Sequence, residues 1–176
     1  MNEQKVQLLD QNTANQIAAG EVVEKPASVV KELVENSLDA GADNIEVTIF
    51  GGGTEYIRVV DNGSGMSEEN AKLAVLRHAT SKIRAAEDLL HLNTLGFRGE
   101  ALPSIASVSN FQLLTRPVTE EFATSIKIEG GDQAECIATG GHTGTTIIVE
   151  NLFFNVPARR KFLRTVQTES RYISEL

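Results

Sequence analysis

Two different spacings of apolar residues organise the first part of this chain. Over residues 26–40 apolar side chains recur every three or four positions, which predicts a helix with one buried face. Over 45–50 apolar and polar residues alternate, which predicts a half-buried strand. The glycines at 51–53 predict a hairpin turn into a second strand over 56–60. The apolar face predicted for the helix consists of Val30, Leu33, Val34 and Leu38.

The same two spacings predict the elements on either side. Before the first long helix we expect a short helix over 14–19, capped by Asn12 or Thr13 and ended by Gly20. A later helix is expected to be capped by Ser67 and to run to Leu76, and a short one to cover 100–106. Another is expected to begin at Pro157 with Asn155 as its cap. Further strands are predicted at 109–115, 123–128, 134–138 and 145–149. Helices early and strands late predict an α+β fold, a two-layer sandwich of helices on one mixed, mainly antiparallel sheet.

Composition narrows the class of protein. A chain of 176 residues with 41% apolar content predicts one domain with a sizeable core. The net charge of −8 argues against nucleic-acid binding by this part alone, although basic residues are concentrated after residue 155. The one cysteine and the absence of a long apolar run favour a cytoplasmic protein rather than a membrane or disulfide-bonded one. The polar stretch 78–99 is long for a connection, which is typical of a functional lid.

A polar stripe lies opposite the apolar face of the predicted helix. Its members, which are spaced for one helix face, are Glu32, Glu35, Asn36 and Asp39. A solvated surface is the simpler interpretation. However, the stripe contains no Lys or Arg, with Lys31 only on its flank, and it combines carboxylates with an amide oxygen. Such oxygens suit a Mg²⁺ ion shared with phosphates, beside which a carboxylate could activate water.

Two glycine-containing turns are further candidates. Asp61 ends the second strand before Gly63 and Gly65, and this is either a simple turn or a place where a ligand amino group meets a carboxylate. The stretch 96–102 is either an ordinary entry into a helix or an anion site, in which Arg98 would add a guanidinium suited to phosphate. No phosphate-binding loop of the Gly-x-x-x-x-Gly-Lys-Ser/Thr type occurs.

The three features in this order resemble the ATP-binding fold shared by DNA gyrase, heat-shock chaperones, histidine kinases and MutL (the GHKL fold). The amino-acid sequences of six segments are similar to the N-terminal ATPase region of the MutL DNA mismatch repair proteins. The segments that carry this resemblance are 15–23, 32–41, 77–83, 96–102, 144–146 and 157–163. Together they span nearly the whole chain.

The resemblance implies ATP hydrolysis with Mg²⁺. Glu32 would be the catalytic general base and Asn36 the metal ligand. Asp61 would accept a hydrogen bond from the adenine amino group with support from Thr145. The remaining residues implied to contact ATP are Gly63 and Gly65, Thr80, Ser81 and Lys82 of the lid, and Gly96, Phe97, Arg98, Gly99, Glu100, Ala101 and Leu102.

The resemblance also implies a larger machine. The expected partners are ATP, DNA held by the full-length protein, a MutS-type mismatch recognition protein, and a second copy in an ATP-dependent homodimer. Residues 1–155 would form the ATPase domain, with 156–176 starting the connection to an absent second domain. The alternative is a fragment that binds ATP with little or no hydrolysis. Pro103, where the family commonly has a small residue, puts the wrapping of the phosphates in doubt.

Overall fold

The computed structural model describes residues 22–77, 100–132 and 135–176, together with positions 13, 17, 19 and 20. The helices are α1 (Pro26–Asp39), α2 (Glu68–Ala74), α3 (Ala101–Ala106), α4 (Pro157–Phe162) and α5 (Val166–Ser174). The strands are β1 (Ile45–Phe50), β2 (Tyr56–Asp61), β3 (Asn110–Arg116), β4 (Ala123–Glu129), β5 (Glu135–Thr139) and β6 (Gly144–Glu150). A 3₁₀ turn, Gly51–Gly53, joins β1 to β2.

The six strands form one sheet in the order β1-β2-β6-β3-β4-β5. All of the described pairings are antiparallel, so the sheet is not mixed within the described strands, whereas its mainly antiparallel character is confirmed. The central pairings are antiparallel because the last strand, β6, lies between β2 and β3 and runs antiparallel to both. Thr145 of β6 thereby lies between Asp61 of β2 and Thr115 of β3.

The core lies between the sheet and its helices. Alternate residues of β2 and β3 are buried, as period-two patterning requires. These side chains form one cluster with α1, whose buried members include Val29, Val30 and Leu33. α5 packs against α1 and the 51–53 turn. The two-layer α+β architecture is therefore confirmed.

The buried face of α1 is rotated from the predicted one. Leu38, expected to be apolar core, is 48% exposed, whereas Ser37 is only 3% exposed. Because each residue advances about 100° around a helix, Ser37 follows Leu33 by one turn and continues its face. A hydroxyl therefore enters the interior at the end of α1.

Several predicted boundaries need correction. Gly20 does not end the first helix, because Gly20 and Val22 are both helical. Asn155 does not cap α4. The capping position is Val156, and the Asn155 amide instead donates to the Ser107 carbonyl at 2.9 Å. Ser67 is confirmed as a cap, since its hydroxyl accepts from the backbone N–H of Asn70. None of the helices in the described ranges is long and apolar enough to cross a membrane.

Candidate functional site

Asp61, the last residue of β2, forms the centre of the site. It is 6% exposed, and its carboxylate accepts from protein donors on both oxygens. The backbone N–H groups of Gly63 and Thr145 donate to Oδ1 at 2.9 and 3.1 Å. The hydroxyl of Ser37 donates to Oδ2 at 2.8 Å. Three segments far apart in the sequence thus hold this carboxylate in one orientation.

Thr145 is connected to a second buried threonine, Thr115. Their hydroxyl oxygens lie 3.0 Å apart across the β3–β6 pair. The Thr115 hydroxyl also accepts from the backbone N–H of Met66 at 2.9 Å and lies 3.2 Å from the Gly144 carbonyl, to which it can donate. This network joins the turn after β2 to the ends of β3 and β6.

The glycines of the turn are explained by the close packing of the protein around them. A Cβ at Gly63 would lie 2.9 Å from both the Cβ and the carbonyl oxygen of Ala40. Gly65 has φ +64°, and a Cβ there would lie 2.2 Å from the Arg116 carbonyl oxygen. Their expected role is close approach to a ligand. The structure shows close approach to the protein's own backbone, which fixes the shape of the turn, and the approach to a ligand stays a prediction.

The end of α1 is fastened to this turn. The backbone N–H of Ser64 donates to the Ala40 carbonyl at 2.9 Å, close to where Gly63 contacts Ala40. Ser37 adds its bond to Asp61 one turn earlier in the helix. The helix that carries the polar stripe is therefore fixed directly beside the buried carboxylate.

The polar stripe itself is partly buried. All four members, Glu32, Glu35, Asn36 and Asp39, have intermediate exposure, so none is a freely solvated surface residue. Lys31, expected on the flank of the stripe, pairs with one of its members, since Lys31 Nζ lies 3.7 Å from Glu35 Oε1. This ion pair lies on the solvent side, with the Lys31 side chain 59% exposed. It places a positive charge beside one carboxylate of the stripe.

The third predicted feature is described only in part. Glu100 precedes α3, and the helical hydrogen bonding begins where Ser104 N–H donates to the Glu100 carbonyl. Ala101 and Leu102 are the first two residues of α3. The other residues predicted here lie outside the described residues, namely Gly96, Phe97, Arg98 and Gly99, and the same holds for the lid residues Thr80, Ser81 and Lys82.

Pro103 fits its place better than its sequence context suggested. It is the third residue of α3 and is buried. The first N–H groups of any helix have no partner within the helix, so a proline at this position removes no helical hydrogen bond. Pro103 therefore removes no hydrogen bond from α3, and its effect on the wrapping of the phosphates stays a prediction.

Three residues in the site were not assigned a role from the sequence: Ser37, Thr115 and Gly144. Spacing could have found two of them. Ser37 follows Leu33 by four positions, and Thr115 continues the buried alternation of Phe111 and Leu113. Gly144, with φ +113°, would place a Cβ 2.1 Å from the Asp61 carbonyl oxygen, and only knowledge of the β2–β6 pairing could have shown this.

The polar stripe of α1 offers a donor set suited to a divalent metal that takes few protein ligands. Within the described part of the chain, no cluster of three or more His, Cys, Asp or Glu side chains could hold an ion. The set offers a half-buried amide oxygen at Asn36 among carboxylates of the same helix face. Mg²⁺ keeps several waters and takes few protein ligands when it is shared with phosphates, so a site of this kind fits Mg²⁺ and not an all-protein cage.

Comparison with known proteins decides the family. Residues 24–138 match the family described as histidine kinase-, DNA gyrase B- and HSP90-like ATPase. The chain belongs to this ATPase family. The MutL DNA mismatch repair protein of Heliobacterium modesticaldum is 57% identical over 171 residues, covering 97% of this chain. That of Syntrophotalea carbinolica is 58% identical over 172 residues, covering 98%. The resemblance to MutL is confirmed.

Solved structures agree. The Aquifex aeolicus MutL ATPase domain complexed with ADP has a TM-score of 0.71 and 40% identity, covering 88% of this chain and 53% of that one. The N-terminal domain of a DNA repair protein gives a TM-score of 0.74 at 32% identity, covering 96% and 48%. The chain spans only 26% and 27% of the two MutL relatives. The fold is that of a MutL-type ATPase domain, and it matches about half of each solved chain.

Proposed function

We propose that this chain binds ATP with its adenine at Asp61 and hydrolyses it at the polar stripe of α1. The observation that carries the proposal is the buried carboxylate at the end of β2. An ionised carboxylate offers about four acceptor positions. Gly63, Thr145 and Ser37 occupy three of them, and one position on Oδ2 remains. An exocyclic amino group is the kind of ligand donor that such a position accepts.

The proposed chemistry at the other end of the nucleotide uses the stripe. Glu32 acts as the general base and takes a proton from the water whose oxygen bonds to the γ-phosphorus, while the bond to the β,γ-bridging oxygen breaks and ADP leaves. Asn36 would hold Mg²⁺ through its amide oxygen, and the bound ion would neutralise charge on the phosphates. Phosphoryl transfer needs mainly positioning and charge stabilisation, so one base and a set of donors are a sufficient protein contribution.

The contacts to the phosphates are proposed by analogy with the ATPase family to which the chain belongs. Thr80, Ser81 and Lys82 would reach the phosphates, and the backbone from Gly96 to Leu102 would surround them. The described part supports this at one point. The backbone N–H groups of Ala101 and Leu102 precede the first hydrogen bond of α3, as groups that contact an anion must.

Two measurements on the same preparation test the proposal. Equilibrium binding of a non-hydrolysable ATP analogue reports the pocket, and phosphate release with and without Mg²⁺ reports the chemistry. We expect binding and Mg²⁺-dependent release. Absence of binding would overturn the proposal. Binding without release would favour the alternative, a nucleotide-binding module, and a longer chain that restores release would show that residues beyond this chain complete the reaction.

The activities of a whole MutL-type protein are proposed more coarsely. We propose that the full-length protein binds DNA, forms an ATP-dependent homodimer and meets a MutS-type mismatch recognition protein in the cytoplasm. The DNA repair names of its relatives support this setting. The unpaired Cys136 is compatible with a reducing compartment. Residues 156–176 as the start of a connection to a second domain remain a prediction.

A further inference from the structure

Thr115 lies at the junction of three segments but belongs to none of the predicted binding positions. It is 1% exposed, and its side chain contacts the turn after β2, through Met66, and β6, through Gly144 and Thr145. A buried hydroxyl with three partners has only one proton to give. The directions of its hydrogen bonds are therefore tied to one another.

Those directions follow from the chemistry of the partners. The Met66 N–H can only donate to Thr115, and the Gly144 carbonyl can only accept from it. If Thr115 gives its proton to the carbonyl, Thr145 must donate to Thr115, and all three contacts are hydrogen bonds. If Thr115 instead donates to Thr145, two acceptor oxygens face each other at 3.2 Å. The first arrangement satisfies every group and is the favoured one.

We propose that Thr115 is a positioning residue that turns the proton of the Thr145 hydroxyl away from the ligand and so sets nucleobase selectivity. Thr145 Oγ1 then offers only lone pairs to a base at this site, as the Asp61 carboxylate does. At position 6 of a purine, oxygens that only accept favour an amino group and oppose an oxo group. This inference rests on the proposed function, because it assumes that the base lies at Asp61 and Thr145.

The test compares ATP with ITP, which carries an oxo group in place of the 6-amino group. In Thr115→Val the Thr145 proton loses its acceptor and becomes available to an oxo group. We expect the ratio of the ITP to the ATP dissociation constant to fall about tenfold, the size of one hydrogen bond gained or lost. Thr115→Ser keeps the hydroxyl and should restore the wild-type ratio. Thr115→Ala is a second variant that removes the hydroxyl, should the valine variant not fold.

Thr124 provides a matched control. It lies directly opposite Thr115 in the β3–β4 pair and is 5% exposed, so Thr124→Val removes a buried hydroxyl from the same row of the sheet. This variant should keep the wild-type ratio. The inference is overturned if Thr115→Val and Thr115→Ala weaken the binding of ITP and ATP equally. It is also overturned if Thr124→Val changes the ratio of the two dissociation constants as much as Thr115→Val does. Failure of the wild-type chain to bind either nucleotide would instead overturn the proposed function.

Discussion

The two ends of the candidate site are built by different parts of the fold. The Asp61 end is assembled from strand ends, and its contacts join residues as far as 84 positions apart in sequence. The stripe end consists of residues on one face of one helix, half-buried, with a surface ion pair at Glu35. The Asp61 end is fixed by contacts between distant strands, which suits selective binding of a base. The stripe end is fixed by the spacing of residues along one helix, which suits hydrolysis of the γ-phosphate.

The largest expected effect separates chemistry from binding at the stripe. Glu32→Ala removes the proposed base but none of the described contacts of Asp61. We expect phosphate release to fall about a thousandfold, within the range of general base catalysis, with ATP affinity changed little. Single-turnover hydrolysis and analogue binding measure the two quantities. Undiminished hydrolysis in this variant would remove Glu32 from the mechanism.

The next effect tests how rigid the Asp61 end is. In Gly65→Ala the new Cβ meets the Arg116 carbonyl oxygen at 2.2 Å, with φ at +64°. We expect the free energy of unfolding to fall by about 3 kcal/mol, the sum of strain and overpacking. Urea unfolding measures it.

Gly41 separates the two contributions. It has a similar φ of +74°, but an added Cβ would find nothing within 4 Å. Gly41→Ala should therefore cost only the conformational strain, about 1 kcal/mol. Equal losses in the two variants would show that the contact with Arg116 is not what requires glycine.

A smaller effect is expected where α1 meets the buried carboxylate. Ser37→Ala removes the donor to Asp61 Oδ2, and we expect about 1 kcal/mol lower stability and several-fold weaker ATP binding. Ser104 is the matched control, because its buried hydroxyl has no hydrogen-bond partner in the described structure. Ser104→Ala should not lower stability. If the two variants behaved alike, the Ser37 bond would have no measurable role.

The smallest effect is expected at the surface of the stripe. Lys31→Ala breaks the exposed ion pair with Glu35, which should change the free energy of unfolding by less than about 0.5 kcal/mol. Turnover should also stay within about twofold of wild type in a phosphate-release assay. A large loss of turnover would place Lys31 in the electrostatics of the reaction and weaken the contrast between the two ends.

Local patterns predicted the elements better than the contacts between them. The pattern from Ile45 to Phe50 predicted the bounds of β1 correctly, and the other strands differ by about one residue at their ends. The burial of β1 does not alternate as predicted, because Val47 is 39% and Phe50 59% exposed. The prediction that Leu38 is buried is wrong, because it relied on the apolar side chain of Leu38 and its helical spacing. Ser37, one residue earlier and about 100° away around the helix, is buried instead. Its hydrogen-bond partner, Asp61, lies on β2, so the sequence of α1 does not indicate it.

The network around Asp61 depends on information that is not local. The Asp61 contact to Thr145 exists because β6 inserts between β2 and β3. No spacing near Asp61 indicates that insertion, so Thr145 entered only through family resemblance. Gly144 has no predicted role for the same reason, whereas spacing indicates the burial of Thr115 but not its partners. The candidate role of a single residue could be predicted from its residue type and its motif. The direction of its hydrogen bonds could be derived only once the pairing of the strands was known.

The most direct test of the central claim is the affinity of Asp61→Asn for ATP, measured by calorimetry beside wild type and Glu32→Ala. The amide oxygen can keep the bonds from Gly63 and Thr145, so the fold should survive, but an N–H₂ group then faces the ligand amino group. We predict about a hundredfold weaker binding for Asp61→Asn alone, since a lost hydrogen bond to a charged group and an opposed donor pair add. Wild-type affinity in a folded Asp61→Asn chain would contradict the account.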